Sequence, residues 1–380
     1  MVRKMKKKSE KSALPSSPSE VQSRLEGLGA EMVSDIDGGE SPAFETVSRG
    51  RTNVRFDESV GCLRLGERKE ERTFINVGQA KKFMQTVAVA NKCKKFLKEG
   101  SHTSIRGLFY QLKFSLGESV DEELFSDQSE SNPLIEDIET AISVKREDLN
   151  LYTDRKGVVA GPMTIKDRFG DEETTIDCRK QGRSGYSIPS DVDNGLNFVD
   201  VEADYVLVVE KDAMWQRLNE DKFWKKENCI LVTPKGQASR GTRRLISKLA
   251  SKKLPVYVFT DCDAWGWYIY WAIKAGSMNL AYLANDIAVP EARFIGVTMK
   301  DIKEYGFLEN LTIKAKDVDI KRAQEMMSYP WISRHEEWVD ELSQVLKTKR
   351  KIEQDALQGP RLSFVSEYLR EKISARKFLP

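Results

Sequence analysis

Apolar positions follow two rhythms along this chain. In the second half they form short unbroken runs: Tyr205-Val206-Leu207-Val208-Val209, Cys229 to Val232, and Val256-Tyr257-Val258-Phe259-Thr260. Runs that are β-branched and apolar throughout predict strands buried on both faces of a parallel sheet. A helical stretch follows the first run, and another, Arg240 to Lys252, follows the second. Strands alternating with helices read as an open α/β sheet, which carries ligands at the carboxyl ends of its strands. Beyond the sheet, Asp317 to Met327, Arg334 to Asp355 and Leu362 to Ile373 have helical spacing and are expected to wrap that domain.

In the first half the rhythm is that of the amphipathic helix. Ala80, Phe83, Met84, Val87, Ala90, Phe96 and Leu97 recur at helical spacing, and Gly100 ends the run. A second helix is predicted from Thr103, its N-cap, to about Leu116, with Ile105, Leu108 and Leu112 on the apolar face. In a third, Asn132 caps, Pro133 takes the first helical position, and Leu134, Ile135, Ile138 and Ile142 point inward. Gly157 to Gly161 and Thr174 to Cys178 then suggest the two strands of a ribbon. Three helices followed by a ribbon outline a winged helix-turn-helix.

These patterns divide the chain. Residues 1–70, rich in Ser, Glu, Lys and Gly, are expected to be a disordered polar tail, its basic cluster Arg3 to Lys8 solvated. Residues 71–180 form the winged-helix domain. The Gly-, Ser-, Pro- and Asp-rich stretch 181–197 reads as a linker. Residues 198–380 form the sheet domain with a helical carboxyl-terminal extension.

Composition narrows the picture. With 380 residues there is length for two domains and a tail, and a 40% hydrophobic content supports a core. A net charge of +2 gives no global argument for nucleic acid, so a DNA surface must be local. Five cysteines without a C-x-x-C, and only two histidines, argue against zinc and for a reducing, intracellular setting. No apolar run approaches the roughly 18 residues of a membrane helix. The amino end lacks the apolar stretch of a secretory signal.

The chemistry begins where the strands stop. Glu210 follows the first run, and Asp261-Cys262-Asp263 follows the third. One acid after a strand is ordinary loop polarity. Three at one sheet edge repel unless a cation lies among them, and oxygen-only ligands favour a hard ion, Mg2+ above all. On the second helix, Arg106 and Tyr110 are four apart and share a face. Spacing alone reads as a surface tyrosine packed on an arginine stem. Beside a metal-binding edge, Tyr110 is also a candidate nucleophile for a DNA phosphate. Ionising a free tyrosine at neutral pH takes roughly 4 kcal/mol, and a nearby arginine and a metal ion supply positive charge of the right order.

The acid after one strand, Asp-x-Asp after another and Val232-Thr-Pro-Lys-Gly236 between them resemble a Toprim domain, a Rossmann-like metal-binding fold. With Arg106-x-x-Phe109-Tyr110 ahead of it, the whole resembles the type IIB DNA topoisomerases: topoisomerase VI A subunits and the related meiotic double-strand-break transesterase. The likeness extends through Gly185-Tyr-Ser-Ile-Pro189, Lys235-Gly236, Thr242-Arg243, Asp261-x-Asp263-x-Trp-Gly266 and Leu362 to Lys372. The family pattern departs at Gly107, where an acid is common, at Phe109, often Tyr, and at Ala264, usually Pro.

The resemblance implies an α/β protein in which a winged helix-turn-helix domain of CAP type precedes Toprim. It makes Tyr110 the nucleophile, Arg106 its partner and Glu210, Asp261 and Asp263 the Mg2+ ligands. It implies 5′-phosphotyrosyl breaks in both strands of double-stranded DNA, resealed after ATP-driven strand passage. A G-x-x-x-x-G-K-[ST] loop is missing from the sequence, so the ATPase is expected on a separate B subunit, in an A2B2 heterotetramer built on a homodimer. The expected location is the cytoplasm, DNA-associated, if archaeal, and the nucleus if eukaryotic. The alternatives are meiotic-type cleavage without resealing, a Toprim nuclease using water, and a DNA-binding regulator with a dead Toprim.

Overall fold

In this computed structural model the described residues are 17–115, 123–170, 172–306, 311–359 and 361–380. They fall into two compact units, 17–53 with Leu65–Asp154, and Val54–Arg64 with Arg155–Pro380. The basic cluster Arg3 to Lys8 lies outside the described residues.

The first unit is built on four helices, α1 (Pro18–Asp37), α2 (Val77–Glu99), α3 (Ile105–Leu112) and α4 (Ser131–Ile142). Each begins or ends where local chemistry dictates. Asn76 caps α2 through its side chain, which accepts from Gly78 N, and Gly100 ends that helix with φ +62°. Ser104, one residue later than predicted, caps α3 by accepting from Gly107 N. Helix α4 starts at Ser131, not at Pro133. Val89, Cys93, Phe96, Leu108, Leu112, Leu134 and Ile138 pack as one core.

The expectation of a disordered tail over residues 1–70 does not hold from residue 17 onward. Ser17 caps α1, and Val21 and Leu25 join the helical core. Ala43–Val47 then pairs antiparallel with Lys69–Thr73. This ribbon lies on the helices: the Phe44 and Phe83 rings are 5.9 Å apart, and Thr46 Oγ1 donates to Asp137 O at 3.2 Å. The ribbon accompanying the helices is therefore this one.

The segments expected to form the ribbon belong to the second unit, and they do not pair with each other. Val158–Ala160 runs antiparallel to Cys229–Thr233, while Glu172–Asp177 pairs with Met163–Phe169. The predicted linker is also structured. Its Tyr186–Ser187 pairs with Val158–Ala160, and Ile188 and Val192 enter the core.

At the centre of the second unit is a six-stranded mixed sheet. Its order is Tyr186–Ser187, Val158–Ala160, Cys229–Thr233, Tyr205–Val209, Val256–Phe259, Arg293–Gly296. The last four strands are parallel, as the unbroken apolar runs require. Every residue of Tyr205–Val209 is buried. The helix Ala264–Lys274 follows Asp-x-Asp directly, and a Cβ at Gly266 would lie 2.4 Å from Asp261 O, so only glycine lets the helix start this close. Its Trp267 and Tyr270 meet Trp338 of the helix Glu336–Thr348, with ring centroids 5.8 and 5.4 Å apart. That packing directs the chain after Thr348 back to the carboxyl edge of the sheet.

Candidate active site

In the first unit, α3 separates its residues by face. Leu108, Phe109 and Leu112 are buried, whereas Tyr110 is 59% exposed. The Arg106 guanidinium carbon lies 5.9 Å from the Tyr110 ring centroid, the i, i+4 contact that the spacing predicts. The Tyr110 side chain is the largest cause holding the Arg106 guanidinium above its ordinary value. Gly107 follows from the cap. A Cβ there would meet Thr103 Oγ1 at 2.3 Å and Ser104 Oγ at 3.2 Å, so two hydroxyls fill the space of a larger residue.

In the second unit, Val209 pairs with Phe259, so Glu210 and the Asp261 loop leave adjacent strands side by side. Asp261 N donates to Glu210 Oε2 at 3.0 Å. Burial, and then the charge of Asp261, push the Glu210 carboxyl up to about 7. Burial likewise raises Asp261 to about 6, against the opposing pull of Gln354 N–H and Lys211. These are the signs of carboxylates crowded in a poorly solvated place.

Asp263 has a different local role. Its Oδ1 accepts from Trp265 N at 3.0 Å and Gly266 N at 2.8 Å, which caps the following helix. Its Oδ2 meets Lys351 Nζ at 2.9 Å, and Lys351 also reaches Asp319 at 3.4 Å. Lys211 Nζ is 3.0 Å from Asp261 Oδ2. Among the described residues, no three His, Cys, Asp or Glu side chains converge closely enough to hold a metal ion. The donor set nonetheless fits a hard, hydrated cation. It is all carboxylate oxygen, and burial first, then neighbouring carboxylate charge, holds Glu210 and Asp261 above their ordinary values, a setting that positive charge relieves. The two lysines neutralise Asp261 and Asp263 in this conformation.

Sequence reasoning missed the supporting set, Lys211, Lys351, Gln354, Glu353 and Asp355. The last four reach the edge because Cys262 and Ile352 pair as a bridge. Nothing near them in sequence signals it, since Lys351 lies 88 residues beyond Asp263. Tyr110 and Arg106 belong to one unit and the three acids to the other. All five cysteines are free and buried. No described helix is long and apolar enough to cross a membrane.

Three family descriptions match successive parts of the chain. Residues 81–151 match "Type IIB DNA topoisomerase", and residues 156–202 match "All-beta domain in DNA topoisomerase VI alpha subunit". Residues 205–373 match the Toprim domain of Spo11 and of the topoisomerase 6 A subunit. Together they define the class, a type IIB DNA topoisomerase. The chain is 43% identical to the A subunit of type 2 DNA topoisomerase 6 from Pyrococcus horikoshii, over 99% of this chain and 100% of that one. It is 42% identical to the Pyrococcus abyssi protein of the same name over the same shares, and 36% identical to that of Methanocaldococcus jannaschii over 95% and 96%. The chain belongs to the family of topoisomerase 6 A subunits. It is thus the catalytic type of subunit of a type II topoisomerase, with a Toprim domain of the kind that binds a divalent metal.

Proposed function

We propose that this chain cleaves both strands of duplex DNA by a Mg2+-dependent transesterification in which Tyr110 is the nucleophile. The phenolic oxygen bonds to phosphorus as its proton leaves. The P–O3′ bond breaks, the 3′ oxygen departs as a hydroxyl, and the 5′ phosphate stays on Tyr110. The observation that carries this reading is the exposed Tyr110, contacted by Arg106 and set on a helix that buries Leu108, Phe109 and Leu112. Arg106 supplies positive charge to the phenolate and to the pentacoordinate phosphate. A Mg2+ held by Glu210, Asp261 and Asp263 would polarise the phosphate oxygens and favour the departing 3′ oxygen.

One phosphodiester replaces another, so resealing needs no ATP. The chain has no G-x-x-x-x-G-K-[ST] run, which leaves nucleotide hydrolysis to a B subunit. We therefore infer an A2B2 assembly around a homodimer of this chain, acting on DNA in the cytoplasm of an archaeal cell, as its archaeal relatives suggest.

The direct test is to quench a reaction on end-labelled duplex with SDS, with Mg2+, ATP and the B subunit present. Protein bound to the 5′ ends is the expected result. Breaks with protein-free ends would mean that water attacks and that Tyr110 is structural.

A further inference from the structure

Lys211, next to Glu210 in the chain, occupies an unusual position. Its Nζ lies 3.0 Å from Asp261 Oδ2, 3.0 Å from Glu353 Oε2 and 2.8 Å from Asp355 Oδ2. Three carboxylates thus share one ammonium. They differ in setting: the Asp261 side chain is 11% exposed, while Glu353 and Asp355 are 45% and 46% exposed. The inner acid is a candidate metal ligand, and the outer two face solvent.

The outer pair does not depend on Lys211 for its position. Cys262 N donates to Ile352 O at 2.8 Å, Ile352 N returns a bond to Cys262 O at 3.2 Å, and Gln354 N donates to Asp261 Oδ1 at 2.8 Å. The backbone on both sides of Glu353 is therefore fixed to the Asp-x-Asp loop. Gln354 Oε1 in turn accepts from Lys211 N at 3.3 Å, which anchors the lysine backbone while its long side chain keeps its rotamers.

A divalent cation and an ammonium cannot share one carboxylate without strong repulsion at contact distance. With no second seat, Lys211 would only compete with metal. Two solvent-facing acids already within hydrogen-bond distance of its Nζ provide that seat.

We propose that Lys211 is a resident counter-ion of the acid edge, neutralising Asp261 until metal binds there and then retained by Glu353 and Asp355. The proposal rests on the reading that Asp261 holds the metal. It makes Lys211 a positioning residue, which keeps the metal-free edge from flying apart, and makes Glu353 and Asp355 determinants of metal affinity that need not touch the metal. A purely structural tie between the strand end and the carboxyl-terminal segment would stabilise the fold but leave metal affinity alone.

The test is calorimetric titration of the full-length chain with Mg2+ alone, read together with melting temperature in EDTA. Asp261→Asn is the control for the underlying reading: unchanged Mg2+ affinity there removes Asp261 from the site and that reading with it. Given loss of binding in that control, Lys211→Met should bind Mg2+ about tenfold more tightly and melt lower in EDTA. Lys211→Gln keeps a donor without the charge, carries the same expectation for affinity, and guards against a misfolded Met variant. Glu353→Gln with Asp355→Asn should bind about tenfold more weakly, and most of that loss should vanish when Lys211→Met is added. Unchanged or weaker binding by both Lys211 variants overturns the proposal. So does an effect of the outer acids that persists undiminished without Lys211, which would make it a general field effect.

Discussion

Cys262 and Ile352 exchange both backbone hydrogen bonds, at 2.8 and 3.2 Å, across 90 residues of chain. Cys262 is the middle residue of Asp-x-Asp, so the carboxyl-terminal segment forms one wall of the acid edge. Through this pairing Lys351 reaches Asp263, Gln354 N reaches Asp261, and Glu353 and Asp355 reach Lys211. The helical extension is thus part of the site.

The nucleophile makes the first prediction. Tyr110→Phe removes one exposed oxygen and leaves the buried face of α3 intact, so folding and DNA binding should be unchanged while covalent adduct disappears. Arg106→Ala should retain adduct formation at a rate lower by about 10²–10³, the usual loss when one charge-stabilising group is removed. Single-turnover cleavage on gels measures both. Adduct formed by Tyr110→Phe would assign the chemistry to another residue.

The three acids should separate by stability. Carboxylate repulsion alone would predict that replacing any of them leaves the metal-free protein as stable or more so. For Glu210→Ala that holds, because a crowded carboxyl is removed at the loss of one acceptor, worth about 1 kcal/mol. Asp263→Ala is different. It removes a helix cap and leaves Lys351, whose side chain is only 13% exposed, with Asp319 as its remaining carboxylate partner, so a loss of about 1–2 kcal/mol is expected. Urea denaturation in EDTA compares them. Equal stability of the two variants would show that the Asp263 contacts contribute little.

Much of this was legible in the sequence, for identifiable reasons. Tyr205–Val209 and Asp317–Met327 appear at their predicted bounds because unbroken β-branched runs and helical spacing are local signals. Arg106 and Tyr110 met as a helix requires. The region after residue 17 was not legible, because α1 buries only Val21, Leu25 and Met32 among charged neighbours. Its ribbon pairs Ala43 with Thr73, a partner that no local pattern reveals. In the predicted linker, polar residues that look like loop signals instead cap, as when Asp191 Oδ1 accepts from Asn194 N. Val158–Ala160 was placed in the wrong sheet because three buried residues carry no information about their partner.

A pH prediction follows from Glu341, which lies outside the acid edge. Burial raises its carboxyl to about 7, although it accepts from Met299 N and Lys300 N. The folded state therefore holds this proton where the unfolded state has released it. Its contribution is most favourable below the unfolded value of about 4.5 and is lost as pH rises to about 7. Glu341→Gln should flatten the fall in stability between those limits by up to about 3 kcal/mol. Denaturation midpoints at pH 4.5 and 7 read the difference, and parallel profiles for the two proteins would exclude it.

The last prediction concerns assembly. Cutting both strands takes two nucleophiles, and each chain offers one Arg-x-x-x-Tyr, so the working unit should be a two-fold dimer that matches the symmetry of the duplex. Tyr110 and the acids belong to different compact units, so a site can draw both from one chain or one from each of two. Resemblance to the topoisomerase 6 A subunits favours the second arrangement. A mixed dimer decides it, one protomer carrying Tyr110→Phe and its partner Glu210→Ala. If sites form across the dimer, one collects both defects and the other is wild-type, giving single-strand nicks with protein attached. If each chain completes its own site, both are crippled and the plasmid stays closed. Two affinity tags purify the heterodimer, and an uncut plasmid from that preparation would overturn the shared site.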